Sequence, residues 1–327
     1  MNKILTKNLV VLFFLSVNIC LAQNLMEIPL TNKLQVLNSK AFFNFPDEAK
    51  EEARNSGIMS APKNPNEETR IIYDNGEKRV VFFAKELFKI GDDSLFEEVS
   101  KGKGEILSYQ RKILTDKDYM YSILSTPIKP KEGKNGMLIN SLIVKVQDGT
   151  LFNVQAFISP EAYSEKEKYA AFTESVFKTL SKGNRNINLK ARTENIFLEL
   201  GNYTYQIDIP ENYSYIVDYG PDFKVTKFHK YTKFNAPDQK ILIYSGNHAS
   251  RLYGQYRFKD PYVIVKGTFL KQEIDWYLYS NKETNFFLKE EVISLPGDMD
   301  LHIAMTGYSS ESIDELTKIQ ESLKFIE

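Results

Sequence analysis

One local pattern occurs twice in this chain, and it constrains the fold more than any other feature. TLFNVQAFIS (residues 150–159) is a strand-like run. Ser164-Glu165-Lys166-Glu167 then fits a capping box, in which Ser and Glu satisfy each other's free backbone N–H groups. Tyr169, Phe172, Val176 and Leu180 follow at helical spacing, and Gly183 closes the helix. Near the other end, MDLHIAMTGY (residues 299–308) is the strand-like run. Ser312 to Glu315 spells the same box, and Ile313, Leu316, Ile319 and Leu323 make the apolar stripe. A helix with one apolar stripe must bury it, and the preceding strands supply the surface.

The beginnings correspond as well. KAFFNFPDEA (residues 40–49) is an aromatic strand ending in proline, and YTYQIDIPEN (203–212) repeats that design with Tyr203, Tyr205, Ile207 and Ile209 alternating. RIIYDNGEKRVVFFA carries Asp74-Asn75-Gly76, a tight hairpin turn that favours positive φ. YMYSILSTPI, GMLINSLIVKV, KILIYSG, PYVIVKGTFL, EIDWYLYS and NFFLKEEVISL are further β-type runs. Additional helices are expected over 46–56 and 92–101. SKGNRNINLKARTEN (residues 181–195) is polar and lacks a sustained apolar period, so a boundary falls there. The expected fold class is α+β: two repeated, mostly antiparallel sheet units, each with a C-terminal amphipathic helix packed on its sheet. The units are residues 23–183 and 195–327, joined by a linker over 184–194, each of ordinary domain size.

This arrangement resembles the PsbP-like fold, which includes the DcrB-like bacterial proteins. The resemblance rests on the strand ending in IPEN, the central antiparallel run and the ending DLHIAMTGYSSESIDELTKIQESLKF. It covers residues 194–327 best and residues 27–183 more weakly. It implies a tandem of such units and a binding role, since family members dock on larger assemblies or on protein segments and some bacterial relatives act beside secreted effectors. It brings no shared catalytic residues.

Residues 1–22 read as an export leader. Lys3 and Lys7 form the positive region, Leu9 to Leu15 an apolar core, and Cys20 and Ala22 the small-x-small cleavage frame. Cleavage after Ala22 leaves Gln23 first; the rival is a lipoprotein signal with Cys20 as the lipidated residue, against which Ile19 stands. Removing the leader takes away two lysines and no acid, moving the net charge from −1 to −3, and leaves no cysteine. That suits an oxidising compartment, periplasmic or extracellular. No later stretch is apolar enough to cross a membrane, so stable insertion of the mature chain is not expected. With 42 basic and 43 acidic residues there is no cationic excess for nucleic acid.

Catalytic chemistry finds few candidates. His302 lies in a strand, opposite the face of Leu301, Ile303 and Met305, and reads as a solvated or hydrogen-bonded sheet histidine. His229 sits among lysines that oppose a metal ion, and Ser245–His248 lacks the nucleophile-elbow frame of a hydrolase. Glu290-Glu291 and Asp298/Asp300 read as solvated faces rather than cation ligands, and the glycine pairs lack a phosphate-loop frame. No catalytic residue, metal site or cofactor is expected. One stretch points to binding: YSGNHASRLYGQYRF (residues 244–258) reads as a loop in which His248, Arg251, Tyr253, Tyr256 and Arg257 are interleaved. Tyrosine and arginine are typical anchors of protein interfaces; the alternative is that these tyrosines cover the sheet. The expected function is an exported, non-catalytic binding or accessory protein acting through contacts with another protein, of immunity or effector-holding type. A secreted hydrolase with an unrecognised site and a structural component of envelope assembly are the rival readings.

Overall fold

The structure, a computed structural model, describes residues 25–36, 41–51, 69–76, 78–91, 110–115, 120–128, 136–146, 148–183, 187–198, 203–220, 222–247, 249–256, 258, 261–295 and 299–326. It is mostly antiparallel β-sheet with few helices. The strands are β1 (Leu30–Val36), β2 (Ala41–Pro46), β3 (Lys50–Glu51), β4 (Thr69–Asn75), β5 (Lys78–Ile90), β6 (Gln110–Thr115), β7 (Met120–Ile128), β8 (Met137–Lys145), β9 (Thr150–Ile158), β10 (Ser181–Lys182), β11 (Arg192–Leu198), β12 (Tyr203–Ile209), β13 (Tyr213–Tyr219), β14 (Phe223–Lys230), β15 (Thr232–Lys233), β16 (Lys240–Gly246), β17 (Val263–Phe269), β18 (Gln272–Asn281), β19 (Phe286–Leu295), β20 (Met299–Gly307) and β21 (Lys324–Ile326). Two helices bury an apolar stripe: α1 (Lys166–Lys178) after β9, and α2 (Ser310–Glu321) after β20.

The N-terminal strands form a small sheet, β1-β2-β10, and a larger one, β3-β4-β5-β9-β8-β7-β6. The C-terminal strands form β11-β12-β21 and β13-β14-β16-β20-β19-β18-β17. Tyr169, Phe172, Val176 and Phe177 of α1 share a core with Phe43, Phe45, Phe82, Leu142 and Val154. Ile313, Leu316 and Ile319 of α2, with Leu323, share another with Ile207, Trp276, Leu301, Ile303 and Met305. Each of these side chains gains about 1.5–3 kcal/mol from burial, which holds the helices more firmly than their propensity does. β20 runs through the middle of its sheet and is buried on both faces, since His302, Ala304 and Thr306 are as covered as their neighbours.

The two sets of sheets touch where β15 pairs in parallel with the end of β5. There Phe88 stacks on His229, with ring centroids 3.9 Å apart. The Lys89 ammonium donates to Thr232 and to the Ala236 carbonyl, and pairs with Asp238 at 2.7 Å. Burial first, then the Lys240 ammonium, pull His229 down to about 3, so it is a neutral packing group. Phe88 adopts a left-handed φ of 54° within a register shift between Glu86 and Lys89, which bends β5 toward this contact.

Several sequence expectations are corrected. The helix over 46–56 is not formed in its described part: Pro46 ends β2, a turn follows, and Lys50–Glu51 pairs with β4. Pairing to an existing strand edge outweighs the helix propensity of this charged run. The rest of that segment, and the helix expected over 92–101, lie outside the described residues. Ser164 caps no helix, because Pro160–Glu165 is a 3-10 turn that runs straight into α1 and places Glu165 at the cap. At α2 the capping box exists three residues earlier: Ser309 is the cap and Ser312 its reciprocal partner. The boundary stretch carries structure at both ends, Ser181–Lys182 pairing with β2 and Arg192–Asn195 with β12.

Candidate functional site

The segment between β16 and β17 folds back over the face of the C-terminal sheet opposite α2. Its described residues are 247, 249–256, 258, 261 and 262. Tyr253–Tyr256 forms one helical turn. Leu252, Tyr256 and Phe258 pack on Tyr279, Leu288, Ala304 and Phe286. Tyr253 stacks on Tyr279 at 5.4 Å with the rings 8° from parallel, and Tyr256 meets Phe286 at 4.9 Å. Tyr262 lies against Tyr277 and Tyr279, and Tyr308 against Phe286. The result is a continuous aromatic layer. Burial first, then Tyr308 and Glu290, raise the Tyr256 hydroxyl above its ordinary value and keep it neutral.

The outer rim of this layer is open. Tyr253 is 49% exposed, Tyr262 49% and Ile264 50%; Val263, also exposed, stands on the other face of the sheet. Val263 and Ile264 belong to β17, whose outer edge has no strand partner among the described residues. An edge with free backbone groups and apolar side chains is a template for another strand. Lys266, paired with Asp275, is the charged residue further along it.

Under the layer lies a cluster that the sequence reading missed. Glu290 is fully buried, which corrects its reading as part of a solvated acidic face. Its Oε2 accepts from the Leu252 N–H at 2.7 Å and meets His302 Nε2 at 2.9 Å; its Oε1 accepts from the Tyr253 N–H at 3.1 Å. His302 is therefore the hydrogen-bonded kind of sheet histidine. Its neighbour Glu291 is also largely covered and pairs with Arg251 at 2.7 Å, while the Arg251 guanidinium lies 3.8 Å from the Tyr277 ring centre. A sequence signal existed: alternation along β19 places Leu288, Glu290 and Val292 on one face, opposite buried β20 residues. That an acid should share that face depends on a segment more than thirty residues upstream in the chain.

Of the sequence-selected residues, Arg251, Tyr253 and Tyr256 are brought together here. His248 and Arg257 lie outside the described residues, as do Asp298 and the Gly102–Gly104 pair. Ser245 is buried at the end of β16. A surface hollow of about 580 Å³ lies elsewhere, between β11, β12 and α2. On its wall Arg192 pairs with Glu194, Thr193 with Asp208, and Glu315 with Lys230. Among the described residues no group of three or more His, Cys, Asp or Glu is arranged to hold a metal ion, and no helix is long and apolar enough to cross a membrane. Comparison with protein families, curated proteins and solved structures finds no match to this chain.

Proposed function

We propose that the chain is an exported, non-catalytic protein that binds another protein, and that its binding surface is the aromatic rim formed by Tyr253, Tyr262 and Ile264. The observation that carries this reading is the rim itself: exposed aromatic and aliphatic side chains beside an unpaired strand edge. Such an edge suits an extended segment of a partner, which gains backbone hydrogen bonds from the strand and side-chain contacts from the rings. Binding rather than catalysis is favoured because the nearest acid–base pair, Glu290 and His302, is sealed from solvent and occupied by backbone donors.

The tandem of PsbP-like units is part of the same proposal. Three correspondences support the duplication. The larger sheets follow one path, strand for strand, once the short β15 is set aside. Each helix follows the central strand of its sheet, β9 or β20, and each is followed by a short strand that returns to the small sheet. Export rests on the leader-like pattern of residues 1–22.

The test is affinity capture from envelope extract with the protein beginning at Gln23. Tyr253→Ala combined with Tyr262→Ala and Ile264→Ala should reduce capture of the specific partner by tenfold or more, since interface anchors are worth about 2 kcal/mol or more in total. The thermal transition should move little, because exposed side chains each contribute within about 0.5 kcal/mol. Undiminished capture by the folded variant removes the rim from the binding surface.

A further inference from the structure

We propose that Glu290 is the positioning residue of this surface: a buried carboxylate that touches no partner yet holds the tyrosine-bearing segment in its binding shape. The inference rests on reading the aromatic rim as the binding surface. The segment meets the sheet through three kinds of contact. Ring stacking, as between Tyr253 and Tyr279, tolerates sliding. The Arg251–Glu291 pair hangs on a long, rotatable side chain. Glu290 grips the backbone itself, accepting the N–H groups of two successive residues, one on each carboxylate oxygen. Two bonds to adjacent amides fix both the position and the direction of the chain as it enters the Tyr253–Tyr256 turn.

The grip is firm for reasons visible in the sheet. Glu290 sits on a strand paired on both sides at that point, opposite Tyr277 and Ala304. Tyr277↔Glu290 is also the last pair of the β18–β19 ladder. The carboxyl group is dry, and its hydrogen-bond partners are His302 Nε2 and the two segment amides; the nearby Arg251 cation is engaged by Glu291. A dry carboxyl group is costly unless it is hydrogen-bonded, so lifting the segment strips Glu290 of two of its three hydrogen-bond partners. The segment and the acid therefore hold each other. In the N-terminal sheet the residue at the matching register is Ser141, whose hydroxyl accepts from the Gln155 side chain at 3.4 Å.

Amide hydrogen exchange tests this without a partner. In the wild-type protein the Leu252 and Tyr253 amides should exchange far more slowly than a free peptide. Glu290→Gln turns one acceptor oxygen into a donor facing an N–H, and should speed both amides by at least about tenfold. Amides of β16 and β20 should keep their rates, which separates local release from general loosening. Capture by Glu290→Gln should fall as it does for the rim variant, although the rim side chains are all present. Should Glu290→Gln not fold, Glu290→Asp, which withdraws the carboxylate by one methylene, is read in the same way. Free-peptide rates at Leu252 and Tyr253 in the wild type, or unchanged rates in the folded variant, overturn the proposal. Faster amides with unchanged capture uphold the grip and reject the rim as the binding surface.

Discussion

In both large sheets a threonine at the eighth position of the packed helix meets a polar side chain from the strand beside the central one. Thr173 of α1 accepts from Asn140 of β8 at 2.5 Å, and Thr317 of α2 accepts from Lys289 of β19 at 3.0 Å. With that contact as the register, Asn140 opposite Ala156 corresponds to Lys289 opposite Met305. The helix faces of the two sheets then match closely. The opposite faces do not. Glu290 and His302 stand where the N-terminal sheet has Ser141 and Asn153, and the aromatic layer stands where that sheet has Phe83, Phe157 and Ile143. The comparison teaches where the constraint lies: the helix-bearing face has one packing task in both sheets, whereas the other face, among the described residues, is built differently in each.

The largest expected effect asks whether the two cores are separate. Trp276 is the chain's single tryptophan and is buried in the C-terminal core, so its fluorescence reports that core. Leu316→Ala should destabilise it by about 2–5 kcal/mol, the range for emptying a packed aliphatic site. Phe172→Ala should cost about 3–5 kcal/mol in the other core. In urea, Leu316→Ala should move the fluorescence midpoint, and Phe172→Ala should move circular dichroism while leaving the fluorescence midpoint near that of the wild type. Equal movement of both signals in both variants means that the contact of Phe88 with His229 couples the sets into one unit, and the comparison must then be drawn within a single cooperative body.

A smaller effect probes the faces that differ. His302→Ala leaves Glu290 buried with two hydrogen-bond partners instead of three, at a cost of about 2–3 kcal/mol. Asn153→Ala, at the matching register, should stay within about 1 kcal/mol, because the Asn153 side-chain oxygen is already buried with no hydrogen-bond partner among the described residues. Urea midpoints of the two variants decide it. Similar costs would mean that the N-terminal face carries a polar anchor of its own.

Which face was legible in the sequence follows the same division. The stripes Tyr169, Phe172, Val176 and Ile313, Leu316, Ile319 lie on the helices as their spacing requires, because a 3.6-residue period is local information. The Asp74-Asn75-Gly76 turn is formed, with Gly76 at a φ of 64°. Short β10 and β21 were invisible, since two or three residues carry no period and pair only because their helix delivers them to β2 and β12. β13 and β14 were overlooked because YSYIVDY and FKVTKFHK mix aromatic and charged residues without a run of aliphatics. Tyr253 and Tyr256 were legible as candidates from composition alone. Glu290 was not, because its partners are backbone amides, and an amide leaves no trace in the choice of residue. The capping-box error at Ser312 has a similar origin: Ser309, Ser310 and Ser312 all suit a cap, and the end of β20 at Gly307 decides among them.

The smallest effect returns to how each helix is tied to its sheet. Glu165, at the start of α1, pairs with Lys78 of β5; Glu315, within α2, is held by Lys230 at 2.6 Å, by Gln239 at 3.0 Å and by the Tyr213 hydroxyl at 3.1 Å. Hydrogen bonding to Lys78 lowers the Glu165 carboxyl below its ordinary value. At Glu315, burial pushes the other way, but Lys230, Gln239 and Tyr213 outweigh it and the net direction is also down. A carboxyl lowered in the folded state stabilises it above the unfolded value, about 4.3 for glutamate, and that contribution is lost as pH falls through the folded value. Both variants, Glu165→Gln and Glu315→Gln, should therefore differ from wild type most at pH 7 and converge with it toward pH 3. Glu315→Gln should cost about 0.5–1 kcal/mol at pH 7, a figure already reduced for the solvent that reaches this pair. Glu165→Gln should cost less, because its two partners, Lys78 and Lys168, are lysines in contact with water. Urea midpoints at pH 7, 5 and 3 measure both. A larger acid-side loss for Glu165 than for Glu315 would place the stronger helix tether in the N-terminal sheet and reverse the ranking drawn from the number of donors.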